Sequence, residues 1–177
     1  MLCNVLILPG LYGSGPAHWQ SQWEIAHPEY RRVQFKKAMS PKCEEWICSL
    51  DEAITESGPR IVLAAHSSSC AIVGHWWARM RRPVHGVLLV APSDTEAESY
   101  PTGPSGFAPM PLNHLPFRTI VVASENDPAV SFDRARHFAL SWGSEFISAG
   151  QAGHIDEKSG FGPWPEGHSL LVRLFSA

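Results

Sequence analysis

Short, almost continuously apolar runs alternate along this chain with segments in which apolar residues recur at helical spacing. Strands that are apolar on both faces are typical of parallel sheets covered by helices on each side. Alternation of strand and helix also favours parallel pairing, because each crossover helix returns the chain to the same edge. The pattern predicts an α/β fold with about six mainly parallel strands, at residues 4–8, 30–35, 60–65, 84–90, 119–123 and 145–147.

The segments between these strands carry helix signals and one long interruption. Ser40 and Pro41 form a good N-cap and first-turn pair for the second helix, and Ser131 is the predicted N-cap of a later one. The interruption is the proline-rich segment 92–116, which has no helical or strand pattern. A loop of this length either borders a functional site or is a solvent loop without a role.

Length and composition limit the classes of protein to which the chain can belong. With 177 residues, of which 44% are hydrophobic, residues 1–177 are expected to form a single domain with its own core. The net charge of −3, without a long basic run, argues against nucleic acid and anionic membranes as partners. The four cysteines form no CxxC pair, and because three of them lie beside apolar strand or helix residues, they are expected to be small buried hydrophobic residues and not disulfides. The N-terminal apolar run is too short for a signal peptide. We therefore expect a cytoplasmic protein.

A serine-rich turn follows the third predicted strand and leads into a helix. In a parallel sheet, chemistry gathers at the carboxyl ends of the strands, and Ser67 lies at such a point. A serine on a tight strand-to-helix turn, a nucleophile elbow, exposes its hydroxyl, and the next N–H, that of Ser68, can stabilise an oxyanion. Ala65 and Ser69 replace the two glycines that such a turn usually has. Taken alone, the turn is weak evidence for catalysis, because serine-rich turns commonly cap helices, and the three adjacent serines leave the register open.

An acid and a histidine follow Ser67 in the order that a catalytic triad on this kind of sheet requires. Asp127 comes shortly after the fifth predicted strand, and His154 lies in the loop after the sixth. A nucleophilic serine needs a base within reach and an acid to orient that base. The order Ser67, Asp127, His154 therefore predicts a triad at three strand ends. Asp94 and Glu125 are alternative orienting acids, because each also follows a strand.

The remaining histidines do not suggest a metal site. Their spacing shows neither HxxxH nor HExxH, so neither a metal nor another cofactor is expected. Packing or surface roles are expected for those that fall within or beside predicted helices and strands, namely His66, His75, His85, His137 and His168.

The first strand ends in a glycine-rich loop with the sequence PGLYGSG. A phosphate-binding loop is one interpretation, but the GxxxxGK[ST] pattern is missing. An oxyanion loop fits better, because glycines let the backbone come close to a substrate. The N–H of Leu11 would then be the second oxyanion donor beside that of Ser68. Two tryptophans near the strand ends, Trp19 and Trp164, are expected to approach the substrate.

Six segments of the chain carry a family pattern in collinear order: LILPGLYGSGPAHWQSQWE, AAHSSSCAIV, VLLVAPSD, SENDPAVSFDRA, AGHI and GFGPWPEG. In these segments the chain resembles the family of small serine hydrolases that includes YdeN-type bacterial proteins and retinoblastoma-binding protein nine. The family usually has H-S-L-G-C at the nucleophile, whereas this chain has H-S-S-S-C, with Ser68 and Ser69 in place of Leu and Gly. The resemblance covers essentially the whole chain.

The resemblance implies a minimal α/β-hydrolase without a large lid domain, with Ser67, Asp127 and His154 as its triad. It also implies chemistry on a small-molecule acyl substrate, a carboxylic ester or a related compound. Some family members bind a protein through an L-x-C-x-E motif, which is missing here because Pro41, not Leu, lies two residues before Cys43. A protein partner stays open. A second hypothesis is a binding protein on a hydrolase scaffold, which would use the altered elbow and the aromatic residues Trp19, Tyr100, Phe107 and Trp164.

Overall fold

A computed structural model describes residues 3–36 and 40–176 of the chain. Its centre is a six-stranded sheet with the order β2-β1-β3-β4-β5-β6, in which every neighbouring pair is parallel. The predicted α/β fold is confirmed, because five helices connect and cover the strands. The elements are β1 Asn4–Leu8, α1 Trp19–Ala26, β2 Arg31–Arg32, α2 Cys43–Glu56, β3 Ile61–His66, α3 Ser69–Met80, β4 Gly86–Val90, β5 Arg118–Ala123, α4 Phe132–Trp142, β6 Glu145–Ser148 and α5 Pro165–Arg173.

Two cores lie on opposite faces of the sheet, and they explain why the central strands read as continuous apolar runs. Side chains alternate between the faces along a strand. Leu63 of β3 belongs to the core beneath α2, α3 and α4, whereas its neighbour Ala64 belongs to the core beneath α1 and α5. All of the residues of β3 and β4 are buried. Within the two described stretches, no helix combines the length and the apolar character that crossing a membrane requires.

The clearest differences from the predicted boundaries are in β2 and α2, whereas the bounds of the other strands shift by at most two residues. β2 has only two residues, Arg31 and Arg32, because it is an edge strand that pairs only with β1. α2 begins at Cys43 with Lys42 as its N-cap, so the expectation of a helix start at Ser40 and Pro41 was wrong. The reason is tertiary: the Pro41 carbonyl accepts the N–H of Ser105 (2.9 Å), and Lys42 forms a bridge with the same residue.

The long segment between β4 and β5 is packed against the helices. Phe107 and Leu115 are buried, and the indole of Trp142 donates to the carbonyl of Pro111 (2.8 Å). On α3, the backbone at Gly74 lies so close to this segment that an added Cβ would be 2.6 Å from Cγ of Pro111. The segment therefore has a fixed position relative to the carboxyl ends of the strands.

Gly74→Ala should lower the free energy of unfolding by about 1–3 kcal/mol, because the new methyl group would overpack this contact. The loss should appear even though alanine is otherwise about 1 kcal/mol better than glycine inside a helix. Urea denaturation monitored by circular dichroism measures the change. Adding Pro111→Ala removes the nearest atom and should restore part of the loss. A Gly74→Ala protein as stable as the wild type would show that the contact is not tight.

Candidate active site

Three side chains from three different strand ends form one hydrogen-bonded chain. Oγ of Ser67 lies 2.9 Å from Nε2 of His154, and Nδ1 of His154 lies 2.9 and 3.0 Å from the two carboxylate oxygens of Asp127. The Asp127 side chain is fully buried, and the side chain of His154 is about one-fifth exposed. The structure thus brings together the three residues that the sequence predicted as a triad.

The turn between β3 and α3 holds Ser67 in a strained backbone conformation. Its φ is +61°, in the left-handed region that residues other than glycine rarely adopt. The N–H of Ser67 donates to the carbonyl of Val90 (3.0 Å), and its carbonyl accepts the N–H of Cys70 (3.0 Å). An added Cβ at Gly10 would lie 2.8 Å from Cβ of Ser67, so glycine is required there. These contacts direct the hydroxyl into the cavity at the carboxyl ends of the strands.

The two serines that replace Leu and Gly of the family pattern are both hydrogen-bonded. The hydroxyl of Ser69, which is fully buried, donates to the carbonyl of Pro9 and so connects the elbow to the glycine-rich loop. The hydroxyl of Ser68 accepts from the phenol of Tyr100 (3.1 Å). Burial raises the pKa of Tyr100 to about 12, so this donor keeps its proton throughout the physiological range. The altered elbow is therefore packed without an unsatisfied hydroxyl at these two positions.

The backbone N–H groups of Leu11 and Ser68 have no hydrogen-bond acceptor among the described residues. Both residues line the cavity into which Ser67 faces. The loop that carries Leu11 is held in place from below by Gln20, whose buried amide donates to the carbonyls of Leu8 (3.0 Å) and Ala64 (3.1 Å). Free N–H groups beside a candidate nucleophile are the donors that an oxyanion needs.

The loop that carries His154 is fixed by polar groups of the loop that carries Asp127. Oγ of Ser124 accepts the N–H of Ala152 (2.9 Å), and the side-chain oxygen of Asn126 accepts the N–H of Gly153 (2.8 Å). The two loops follow the neighbouring strands β5 and β6, so these bonds set the imidazole and the carboxylate relative to each other.

His66 and His18 form a buried layer beneath the candidate triad. His66 donates from Nε2 to the carbonyl of His154 (2.9 Å), because a carbonyl can only accept. Burial lowers the pKa of His66 well below its usual value, so this donor stays neutral. Nδ1 of His18 accepts the N–H of Gln20 (3.1 Å) and caps α1, and burial, partly opposed by Asp156, lowers the pKa of His18 to about 4. Sequence reasoning gave His66 only a packing or surface role.

The expected approach of Trp19 and Trp164 to the substrate requires a correction, since neither residue lines the cavity. Trp19 is fully buried, and its indole donates to the carbonyl of Ile155 (3.0 Å), next to His154. Trp164 stacks on Trp23 with an interplanar angle of 16°. The helical spacing of Trp19 and Trp23 directs both rings into the core, where Trp19 supports the His154 loop and the indole of Trp23 donates to the carbonyl of Pro163 (2.8 Å).

The alternative orienting acids are occupied elsewhere. The carboxylate of Asp94 pairs with Nε of Arg134 (3.0 Å), and that of Glu125, which is exposed, accepts from Ser148 (2.9 Å). Asp156 lines the cavity and accepts from the N–H and hydroxyl of Ser159. These hydrogen bonds lower the pKa of its carboxyl despite partial burial, which acts in the opposite direction.

A cavity of about 520 Å³ opens above Ser67, a size that suits a small molecule. Tyr12 and Tyr100 contribute aromatic surface to its wall, and Tyr12 is 90% exposed. Tyr100 belongs to the proline-rich segment, so that segment borders the site. Within residues 3–36 and 40–176, no group of three or more His, Cys, Asp or Glu side chains is arranged to hold a metal ion.

Sequence reasoning missed one polar residue at the centre of the site. Oγ of Ser93 lies 2.9 Å from Oγ of Ser67, and Ser93 is almost fully buried. Its position three residues after the end of β4 was the available signal, because β4 is the neighbour of the strand that carries Ser67.

Comparisons with known proteins agree with this geometry. A family model described as serine hydrolase matches residues 5–173. A protein from Pectobacterium atrosepticum described as a YdeN-like hydrolase is similar in structure, with a TM-score of 0.86 and 29% identity over 98% of this chain and 90% of that one. No match was found among curated proteins.

Two more distant structures share the fold. The ydeN gene product of B. subtilis has a TM-score of 0.77 and 20% identity, over 99% of this chain and 100% of that one. A thermophilic esterase from Thermogutta terrifontis has a TM-score of 0.70 and 15% identity, over 99% of this chain and 92% of that one. At these identities the likeness shows the fold alone.

Ser69→Ala should lower the free energy of unfolding by about 1–2 kcal/mol, because the carbonyl of Pro9 would lose its hydroxyl donor in a dry environment. Chemical denaturation measures the change. Ser141→Ala, which removes an exposed hydroxyl bonded to its own helix, is the matched control and should change stability by less than about 0.5 kcal/mol. Equal stability of the two variants would contradict the structural role of Ser69.

Acidification should destabilise the protein in part through His18. Between about pH 4 and pH 6.5 the unfolded chain binds a proton at this imidazole and the folded chain does not, so stability is lost as the pH falls. The contribution between pH 7 and pH 5 is about 2 kcal/mol. Urea titrations at both pH values should show a smaller pH dependence in His18→Asn, which keeps a capping side chain. An unchanged pH dependence would show that His18 titrates normally.

Proposed function

This chain belongs to the serine hydrolase family and is of the YdeN type, and from this premise we propose its reaction. The protein hydrolyses a small carboxylic ester or a related acyl compound through an acyl-enzyme on Ser67. The observation that carries the proposal is the hydrogen-bonded chain from Ser67 through His154 to Asp127 at the base of a small-molecule cavity. No cofactor takes part in this chemistry.

The proton on the imidazole determines the direction of the first step. A carboxylate only accepts hydrogen bonds, so Nδ1 of His154 carries the proton that faces Asp127. In the neutral imidazole Nε2 is then an acceptor, and the hydroxyl of Ser67 donates to it. His154 takes this proton as Ser67 attacks the acyl carbon, and the buried carboxylate of Asp127 stabilises the imidazolium.

The carbonyl oxygen of the substrate becomes negatively charged when the tetrahedral intermediate forms. The free N–H groups of Leu11 and Ser68 are the proposed donors to this oxyanion, and the N-terminus of α3 adds a partial positive charge. His154 then protonates the leaving oxygen, and the alcohol departs. Water, deprotonated by His154, attacks the acyl-enzyme, and the acid is released with Ser67 reprotonated.

The cavity indicates a compact substrate with some polar character. Aromatic and proline surfaces from Tyr12, Tyr100 and Pro101 can pack against an acyl chain. Asp156 and Lys158 line the same cavity and offer charged groups. A volume of about 520 Å³ is at the lower end of what small-molecule sites have. The cytoplasmic location and the absence of nucleic-acid and membrane partners, expected from the sequence, stay predictions.

Ser67→Ala should abolish labelling by a fluorophosphonate probe and reduce hydrolysis of short p-nitrophenyl esters by about 10⁴-fold or more, because no other group can form the acyl-enzyme. In-gel fluorescence and steady-state kinetics measure the two effects. Ser141→Ala, on the surface of α4, is the control and should behave as the wild type. Equal labelling of wild type and Ser67→Ala would rule out Ser67 as the nucleophile.

A further inference from the structure

Within the described part of the chain, the hydroxyl of Ser67 has two hydrogen-bond partners, and the proposed mechanism uses only one of them. His154 lies on one side of Oγ, and the hydroxyl of Ser93 lies on another, each at 2.9 Å. Ser93 is 5% exposed and lines the same cavity. Among the described residues, Ser67 is the only hydrogen-bond partner of the Ser93 hydroxyl.

The direction of the bond between the two hydroxyls follows from the protonation of the imidazole. Ser67 has one proton, and it donates this proton to Nε2 of His154, which can only accept in the neutral tautomer that Asp127 selects. The oxygen of Ser67 therefore meets Ser93 as an acceptor. Ser93 must be the donor, with its own proton directed at the oxygen that reacts.

The backbone around Ser93 is anchored on both sides, so the hydroxyl is held in place before any substrate binds. Ala91 adopts a positive φ of +47°, and its N–H donates to the carbonyl of Val122 (2.9 Å). The N–H of Asp94 donates to the carbonyl of Ala129 (3.0 Å), and its side chain pairs with Arg134. A preorganised donor needs no rearrangement when charge develops beside it.

We propose that Ser93 is a further catalytic residue, whose hydroxyl donates to Oγ of Ser67 and stabilises the negative charge on that oxygen both when it attacks and when it leaves. This inference rests on the proposed hydrolase function. A hydrogen bond to a charged oxygen is stronger than one between neutral groups, so the bond tightens in the transition state.

The same bond acts in both halves of the reaction. In acylation the proton of Ser67 passes to His154, the new bond from Oγ to the acyl carbon forms, and Ser93 keeps its own proton throughout. In deacylation the bond between Oγ and the acyl carbon breaks, and its electron pair returns to Oγ. Ser93 stabilises this leaving oxygen until His154 returns the proton.

A residue that only shapes the cavity would act differently. Loss of packing would weaken substrate binding and raise KM, with an effect that depends on the acyl chain. Loss of a donor to Oγ would instead lower the rate constants of acylation and deacylation for every acyl chain. The two roles are therefore separated by pre-steady-state kinetics.

The experiment compares Ser93→Ala, Ser93→Thr and Ser67→Ala with the wild type. Stopped-flow measurement on p-nitrophenyl acetate and butyrate gives the two rate constants, and the fluorophosphonate probe gives an independent rate of attack. Ser93→Ala should lower both rate constants and the labelling rate by about 10- to 100-fold, the effect of one hydrogen bond to a charged group. Ser93→Thr, which keeps the hydroxyl, should stay within about threefold of the wild type.

The matched control is Ser144→Ala, which removes a hydrogen bond between two hydroxyls away from the cavity, from Ser144 to Oγ1 of Thr119 (2.7 Å). This variant should retain wild-type rates. Should Ser93→Ala not fold, Ser93→Cys gives the same comparison, because a thiol of similar shape is a weak donor.

Wild-type rate constants in Ser93→Ala, with Ser67→Ala inactive, would overturn the role of Ser93 and leave the hydrolase function intact. Equal losses in Ser93→Ala and Ser93→Thr would assign the effect to side-chain volume and would also overturn it. Wild-type labelling of Ser67→Ala would instead rule out Ser67 as the nucleophile, and with it the proposed mechanism on which the inference rests.

Discussion

The left-handed backbone at Ser67 is the constraint on which the rest of the site depends. A φ of +61° is unfavourable for serine, and such a conformation costs about 1–3 kcal/mol and persists only where its surroundings fix it. Here those surroundings are the N–H bond to Val90, the close approach of Gly10, and the bond from Ser69 to Pro9. The first comes from the end of β4 and the other two from the loop after β1, so the strain can be maintained only by the assembled sheet.

Buried hydrogen bonds connect the loops at the carboxyl ends of the strands. His66 donates to the carbonyl of His154, and Trp19 donates to that of Ile155. The amide of Gln20 donates to carbonyls of two neighbouring strands. An unpaired carbonyl in such a dry environment is unfavourable, which makes each of these partners difficult to replace. The imidazole is thereby positioned by its backbone as well as by Asp127.

The elbow of this chain achieves with hydroxyls what its family pattern achieves with Leu and Gly. A glycine at position 69 would leave the carbonyl of Pro9 without this donor, whereas the serine side chain fills the space and donates to it. Ser68 in turn binds Tyr100 of the segment between β4 and β5, so the wall of the cavity and the turn of the nucleophile are coupled. The altered elbow is therefore an alternative way of packing the turn.

The sequence by itself determined the fold and the identity of the three central residues. Periodicity marks buried strands, and parallel strands place their carboxyl ends together, so the order of Ser67, Asp127 and His154 was enough to predict that they meet. Only the tertiary structure decided which other groups meet them. Ser93 and His66 act through hydrogen bonds between segments far apart in the chain. His18 caps its own helix but packs its ring against that of His66, and Trp19 turned out to support the core because burial depends on neighbours. The pattern of apolar residues along the sequence predicts which side of a strand or helix a side chain occupies. Which residue it contacts there depends on how segments that are distant in the sequence pack together.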